Sequence, residues 1–216
     1  LFAGPVVRPQ AWPDDLSVQG KRVVVIGSGA TAVTLVPALV EAGACHVSML
    51  QRSPSYVASV PSRDRVATRV RQVMPDAVAH RVVRAKNVVL STLGYQVLRR
   101  YPDAGRRLLR RRMEQALPAG YPVELHFTPT YDPWDQRLCL VPNGDLFDAI
   151  NSGRASVVTD HIDTFTPTGI RLQSGEELAA DIVVTATGLE LVTLGEMRFV
   201  VDGEPVDFAQ TWTYKG

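Results

Sequence analysis

The sequence offers little support for metal, thiol or hydrolytic chemistry. Its two cysteines, Cys45 and Cys139, lie far apart among apolar neighbours and form no CxxC pair. They are expected to be reduced, buried thiols of a cytoplasmic protein. The four histidines, His46, His80, His126 and His161, show neither HxxxH nor HxH spacing, so no metal site is expected. GxSxG is absent, which leaves a hydrolase nucleophile without support. No apolar run is long enough to span a bilayer, there is no signal peptide, and the chain begins at Leu1. It is expected to be a piece of a longer soluble protein, with room in 216 residues for one sizeable domain or two small ones. Internal repeats and low-complexity tracts are lacking as well.

Charge is nearly balanced overall but not along the chain. Between Arg63 and Arg112 there are 14 basic residues against 3 acidic ones, a net of +11 that leaves −10 for the rest of a chain of net +1. Such a block admits an anionic membrane surface or nucleic acid as partner. Aromatics for base stacking are almost missing from it, which argues against nucleic acid. The ordinary explanation is the solvated face of helices, with membrane contact the weaker alternative.

What is present is a strand, a glycine turn and a helix start: Val23-Val24-Val25-Ile26-Gly27-Ser28-Gly29-Ala30-Thr31-Ala32. Gly27 permits the turn, Gly29 lets backbone approach a pyrophosphate, and Ala32 keeps helix and strand close. Backbone and side chains of Gly27, Ser28, Gly29, Ala30 and Thr31 are therefore cofactor-binding candidates. Gly43 ends the helix before a second strand, His46 to Leu50, so the whole βαβ context is there. After that strand an NAD site carries an acid for the ribose 2′-hydroxyl, whereas this chain has Arg52 and Ser53. A guanidinium pairs bidentately with a 2′-phosphate and a hydroxyl donates to it, so the expected cofactor is NADPH. Pro37 falls inside the helix and should kink it at about 3 kcal/mol, offset by packing of Val33, Leu35, Leu39 and Val40.

Further along, residues 1–20 read as a proline-rich linker or docking segment. The nucleotide-binding, Rossmann-like unit comprises 21–62 and 118–190. Residues 63–117 turn helical and form an insertion. Val78, Val82, Ala85, Val89, Leu93 and Val97 recur at helical steps, as do Leu109, Met113 and Leu117, with Pro75 and Pro102 dividing the stretch into roughly three helices. Residues 118–144 are loop-like and proline-rich. A short helix, Gly144 to Asn151, precedes a strand at Ala155 to Thr159. A hairpin of His161 to Phe165 with Ile170 to Leu172 closes at Thr168-Gly169. Asp181 to Thr185 is a central strand ending in Ala186-Thr187-Gly188, where open α/β sheets bind ligands, so Thr187 and Gly188 join the candidates. The fold class is α/β, a Rossmann-like parallel sheet with an inserted helical subdomain and an antiparallel hairpin in the crossover.

With these residues in view, the chain resembles the class B flavoprotein monooxygenases, the flavin-containing and Baeyer–Villiger enzymes, over their NADPH-binding half. Phe2-x-Gly4-x-x-x-Arg8-x-x-x-Trp12-Pro13 is similar to the Baeyer–Villiger signature FxGxxxHxxxWP. The glycine turn with Arg52-Ser53 fits the family's NADPH site. Ala186-Thr187-Gly188 looks like the segment linking that domain back to the flavin domain. Tyr131-Asp132-Pro133-Trp134-Asp135-Gln136-Arg137 and Val141-Pro142-Asn143-Gly144-Asp145 resemble the ethionamide-activating type. The resemblance implies an FAD/NAD(P)-binding flavoprotein fold. It also implies an enzyme that consumes NADPH and, through a C4a-peroxyflavin, inserts one oxygen atom of O2 into a ketone or onto sulfur or nitrogen. Gln136 becomes a cofactor-binding candidate, and Arg137 matches the family's active-site arginine, a fixed cation for an anionic reacting centre. Taken by itself, Arg137 is equally a surface arginine paired with Asp132 or Asp135. Trp12, Tyr131 and Trp134 are weaker candidates to line the cleft, and the Asp132–Asp135 pair fits turn capping.

Two departures stand against the family pattern. The signature histidine is Arg8, and the glycine motif that binds FAD is absent. The FAD half is expected to be missing, with 191–216 the start of the return towards it and Tyr214-Lys215-Gly216 stopping where relatives continue. The isolated chain should then bind NADPH and neither hold FAD nor turn over. An NADPH-dependent reductase without flavin would need Tyr-x-x-x-Lys or CxxC, and neither occurs. A non-catalytic nucleotide-sensing module has no reason to carry an arginine in a proline-rich loop, and a methyltransferase would place an acid at position 52.

Overall fold

The computed structural model describes residues 1–136, 138–189, 195, 197–207 and 211. In chain order, β1 (Val6–Val7) and β2 (Arg22–Ile26) precede α1 (Ala30–Glu41), β3 (His46–Gln51) and β4 (Tyr56–Val60). Three helices follow, α2 (Arg65–Val73), α3 (Asp76–Arg100) and α4 (Pro102–Ala116). Then come α5 (Val123–Phe127), β5 (Leu138–Pro142), α6 (Asp145–Asn151) and β6 (Ala155–Thr159). The crossover holds β7 (Ile162–Thr166), β8 (Gly169–Leu172) and β9 (Glu177–Ala179), and leads to β10 (Ile182–Thr185). A small ribbon of β11 (Val200–Val201) and β12 (Glu204–Pro205) lies beyond.

The organising sheet is parallel, in the order β1-β10-β2-β3-β6. Its central strands are buried on both faces, as in α/β sheets with packed sides: Val23, Val24 and Val25 of β2 and Val183 and Val184 of β10 are almost inaccessible. On one face α1 and α6 pack through Val33, Val36, Leu146 and Phe147. On the other, Val24, Leu50 and Val183 meet Ile170, Leu172 and Leu178 of the β7-β8-β9 sheet. α1 runs through Pro37 without ending, with Val33, Val36, Leu39 and Val40 buried around it; Leu35 is only partly buried. Arg22 and Asp181 clamp the amino ends of β2 and β10. The Arg22 amide donates to the Asp181 carboxylate at 2.8 Å and the guanidinium at 3.1 Å. These bonds hold the Asp181 carboxyl down at about 2.

Several sequence expectations need correction. Val6–Val7, within the supposed linker, adds an edge strand beside β10. The proline-rich stretch contains α5 and β5, and β5 pairs with β4 in a separate two-stranded parallel sheet. The hairpin turn is Pro167-Thr168, since Thr166 already pairs with Gly169. Cys139 is buried but Cys45 is exposed. α3 forms where the apolar steps place a helix. Its apolar stripe, Val78, Val82, Val89, Leu93 and Val97, is exposed, and the helix packs instead through Ala79 and Val83. α3 lies against α2 and α4, and Ala79 and Val83 are the residues it buries. In α4 the expected Leu109 and Met113 are buried, with Leu117 just beyond. Among the described residues no helix is long and apolar enough to cross a membrane.

Candidate functional site

The carboxyl ends of β2, β3, β6 and β10 open into a cavity of about 760 Å3, within the roughly 300–1,000 Å3 of small-molecule sites. It is lined by the turn after β2 (Gly27, Ser28, Gly29), the loop after β3 (Arg52, Ser53), and Gln136 and Thr187. The structure therefore gathers seven of the sequence candidates around one space. Thr31, Gly188 and again Thr187 line an adjoining cavity of about 370 Å3. Ala30 is the first residue of α1. Arg137 lies outside the described residues. Of the aromatics, Tyr131 lines the larger cavity, Trp12 packs on the core, and Trp134 meets Tyr95 edge-on.

Each part of the wall has a local cause. Gly27 has φ of +134° and its amide donates to the Leu50 carbonyl at 2.8 Å. A Cβ there would sit 2.4 Å from the Ala186 carbonyl oxygen, so glycine lets the β2 and β10 ends come together. Gly29 caps α1 in extended conformation and no side chain bonds the cap. The first-turn amides thus keep donor capacity for an anion, reinforced by the helix dipole. The Ser28 hydroxyl donates to the Ser53 carbonyl at 3.3 Å and lies 3.1 Å from the Ser55 hydroxyl, tying the glycine turn to the Arg52 loop. No carboxylate pairs with Arg52 among the described residues.

Behind Arg52 stands a buried polar post. The Gln51 amide group donates to the His126 carbonyl and to the Thr159 hydroxyl, both at 2.8 Å, and His126 Nδ1 lies 2.8 Å from that hydroxyl. The post locks the end of β3 against β6 and α5. Burial lowers the His126 imidazole from its ordinary value. The neutral ring is thus favoured by the fold, and the unfolded chain takes the proton first. Stability from this post is complete above about pH 6.5 and is lost as pH falls through the lowered folded value. Urea midpoints of the wild type should fall between pH 7 and pH 5 more steeply than those of His126→Gln. Parallel profiles would remove His126 from the acid response.

Some lining residues were not foreseen. Asp160 and His161 follow β6, Gln173 follows β8, and all three face the larger cavity. Asp160 and His161 reach it because β6 lies beside β3, a non-local pairing that no local motif announces, and the Gln173 amide joins them by donating to the His161 carbonyl at 2.9 Å. Bonds from the Ser174 hydroxyl and the His161 and Ser174 amides hold the Asp160 carboxyl below its usual range. Tyr131 is placed by Tyr56, whose hydroxyl donates to the Tyr131 carbonyl at 2.9 Å while the rings meet edge-on at 5.3 Å. The two flanking carboxylates are occupied: Asp132 pairs with Arg106 and Asp135 with Arg99, so they tie the loop to α4 and α3 rather than only capping a turn.

No family model matches the chain. Over 215 aligned residues, covering 100% of this chain, it is 53% identical to the FAD-containing monooxygenase EthA of Mycobacterium tuberculosis and covers 44% of that protein. It is 49% identical, again along its whole length, to the probable FAD-binding monooxygenase AlmA of Acinetobacter baylyi, covering 43%. By sequence, the chain is similar along its whole length to part of these FAD-containing monooxygenases. It spans less than half the length of these two monooxygenases. Among solved structures, an oxidized steroid monooxygenase bound to NADP superposes with a TM-score of 0.65 over 87% of this chain and 42% of the other. At 22% identity that likeness speaks for the fold alone, an α/β architecture.

Proposed function

We propose that the chain is the NADPH-binding part of an FAD-dependent monooxygenase that transfers one oxygen atom of O2 to a ketone, or to sulfur or nitrogen. The observation that carries it is the larger cavity, where an uncapped helix N-terminus and an exposed guanidinium flank one space. Pyrophosphate suits the first, a 2′-phosphate the second, with the Ser53 hydroxyl as a further donor. Leu50 and Ile162 offer apolar walls and Asp160 and Gln173 polar edges to a purine. The relatives' names supply the flavin, and the neighbour's bound NADP supports the nicotinamide cofactor.

In this proposal 21–62 with 118–190 hold the nucleotide, 63–117 are a helical insertion, and 191–216 lead towards an FAD-binding partner domain of the same polypeptide. NADPH when bound supplies hydride, and FAD supplies oxygen activation. This chain's residues orient the nucleotide and fix charge. Arg137 carries the cation that stabilises negative charge developing at the reacting centre, since a guanidinium does not deprotonate. The exposed Cys45 thiol and the use of NADPH suit the cytoplasm.

The test is the longer parent protein loaded with FAD, followed by NADPH consumption and by product formation on a ketone and a sulfide. Arg137→Ala should lose at least about a hundredfold in oxygenation, the scale of removing an electrostatic stabiliser, with NADPH affinity unchanged. Undiminished product formation would take Arg137 out of the chemistry. Absence of FAD-dependent NADPH oxidation in the wild type would sink the reading itself.

A further inference from the structure

Trp134 is a strained point in the loop that helps to wall the larger cavity. Its φ of +72° is an outlier for a bulky side chain. A residue keeps such a conformation only where its surroundings over-determine it. The helical insertion supplies those surroundings. The Trp134 ring meets Tyr95 of α3 edge-on, with centroids 5.8 Å apart. To either side, Asp132 pairs with Arg106 of α4 at 3.2 Å and Asp135 pairs with Arg99 of α3. Asp103, one turn back on α4, steadies Arg106 at 2.8 Å. Within the loop the Asp135 amide donates to the Asp132 carbonyl at 3.0 Å, closing the turn on which Trp134 sits. Gly105 lets these parts meet, since a Cβ there would stand 2.7 Å from Leu98 and 3.5 Å from Pro133.

Tyr131 and Gln136, at the two ends of this loop, both line the larger cavity. Asp132, Trp134 and Asp135 between them are held by α3 and α4. Without those ties the strain at Trp134 favours release, and a ligand must reorder the loop as it binds. A site that is competent only part of the time loses affinity in proportion to that fraction.

We propose that the helical insertion is a frame for this loop, with Arg99 and Arg106 as positioning residues for the ligand of the larger cavity. The inference rests on the nucleotide site proposed above, so NADPH is the probe, and the protein is the longer parent. Arg99→Ala combined with Arg106→Ala should weaken NADPH about fivefold in calorimetry, the scale of losing two exposed ion pairs. Hydrogen exchange of the free protein should quicken in residues 131–136 and stay unchanged in β2 and β3. Exchanging the partners, Arg99→Asp with Asp135→Arg, should recover affinity that Arg99→Asp alone loses. Arg107→Ala is the control. Arg107 is an exposed cation of α4 with no carboxylate partner among the described residues, and its loss should alter neither measurement. Undisturbed exchange in the loop, or unchanged affinity in the double variant, would overturn the frame. So would a swap no better than Arg99→Asp alone, or an Arg107→Ala loss as large as the double variant's. A wild type that does not bind NADPH would instead overturn the nucleotide site, and the exchange rates of the free protein would still decide the frame.

Discussion

Replacing Arg52 with alanine is expected to weaken NADPH binding by about thirtyfold, close to 2 kcal/mol, and to leave NADH binding nearly unchanged. The two cofactors differ only in the 2′-phosphate, so the comparison isolates what a cation at position 52 contributes. The geometry favours a large effect. Arg52 follows β3, whose last residue, Gln51, is anchored by two bonds in the buried post, so the guanidinium is presented from a fixed base. The pair is exposed, and its strength should therefore fall as salt shortens the Debye length from about 10 Å at 0.1 M to about 3 Å at 1 M. Arg52→Lys should lie between wild type and alanine, because an ammonium keeps the charge and loses the two-pronged fit. If NADPH and NADH weaken together, Arg52 supports the loop rather than reading the phosphate. Equal wild-type affinity for both would remove the 2′-phosphate site.

The parts of the fold legible in the sequence are those whose cause is local. The β2–α1–β3 unit could be read because a buried Val run, a glycine turn and a helix that ends at Gly43 follow one another without interruption. The helices over 63–117 announce themselves by three- and four-residue steps. Which face of α3 packs was not legible, because periodicity marks a stripe but not the element that will cover it. The small residue, Ala79, took the contact. β1 is two residues long, too short for alternation to show, and exists because β10 offers a free edge. β5 was hidden by the prolines around it and by its own Pro142, which a short strand of a two-stranded sheet tolerates as its last residue.

The site divides in the same way. The glycine turn and Arg52-Ser53 lie within one βαβ unit, so their spacing along the chain already implies their meeting. Asp160 and His161 come to the larger cavity through the pairing of β6 with β3, Gln173 through the adjoining β7-β8-β9 sheet, and Arg8 to the smaller cavity through the pairing of β1 with β10. Their signal would have been a correct sheet order, which composition does not carry.

That dependence on strand order makes Gly27 a sensitive position, since it stands where β2 and β10 meet at the cleft. Gly27→Ala is expected to cost about 4 kcal/mol and to abolish nucleotide binding, a large share of the roughly 5–15 kcal/mol that stabilises a domain. Two causes add. At φ of +134° an L side chain is strained whatever the space, worth about 1–3 kcal/mol. The new Cβ would also lie 2.4 Å from the Ala186 carbonyl oxygen and 3.0 Å from its carbon. These are backbone atoms at the end of β10, held by the Ala186 amide donating to Ile26 at 2.8 Å, so they have no rotamer to retreat into. Relief requires β2 and β10 to part where Ala186 and Thr187 wall both cavities. Gly175→Ala is the control: its φ of +92° imposes strain, but no atom stands within 4 Å of the added carbon. Urea unfolding should show Gly27→Ala losing at least twice what Gly175→Ala loses, and calorimetry should show NADPH binding only in the latter. Equal losses, with binding retained in both, would mean that the β2–β10 junction yields, and that the cleft does not depend on the close approach made there.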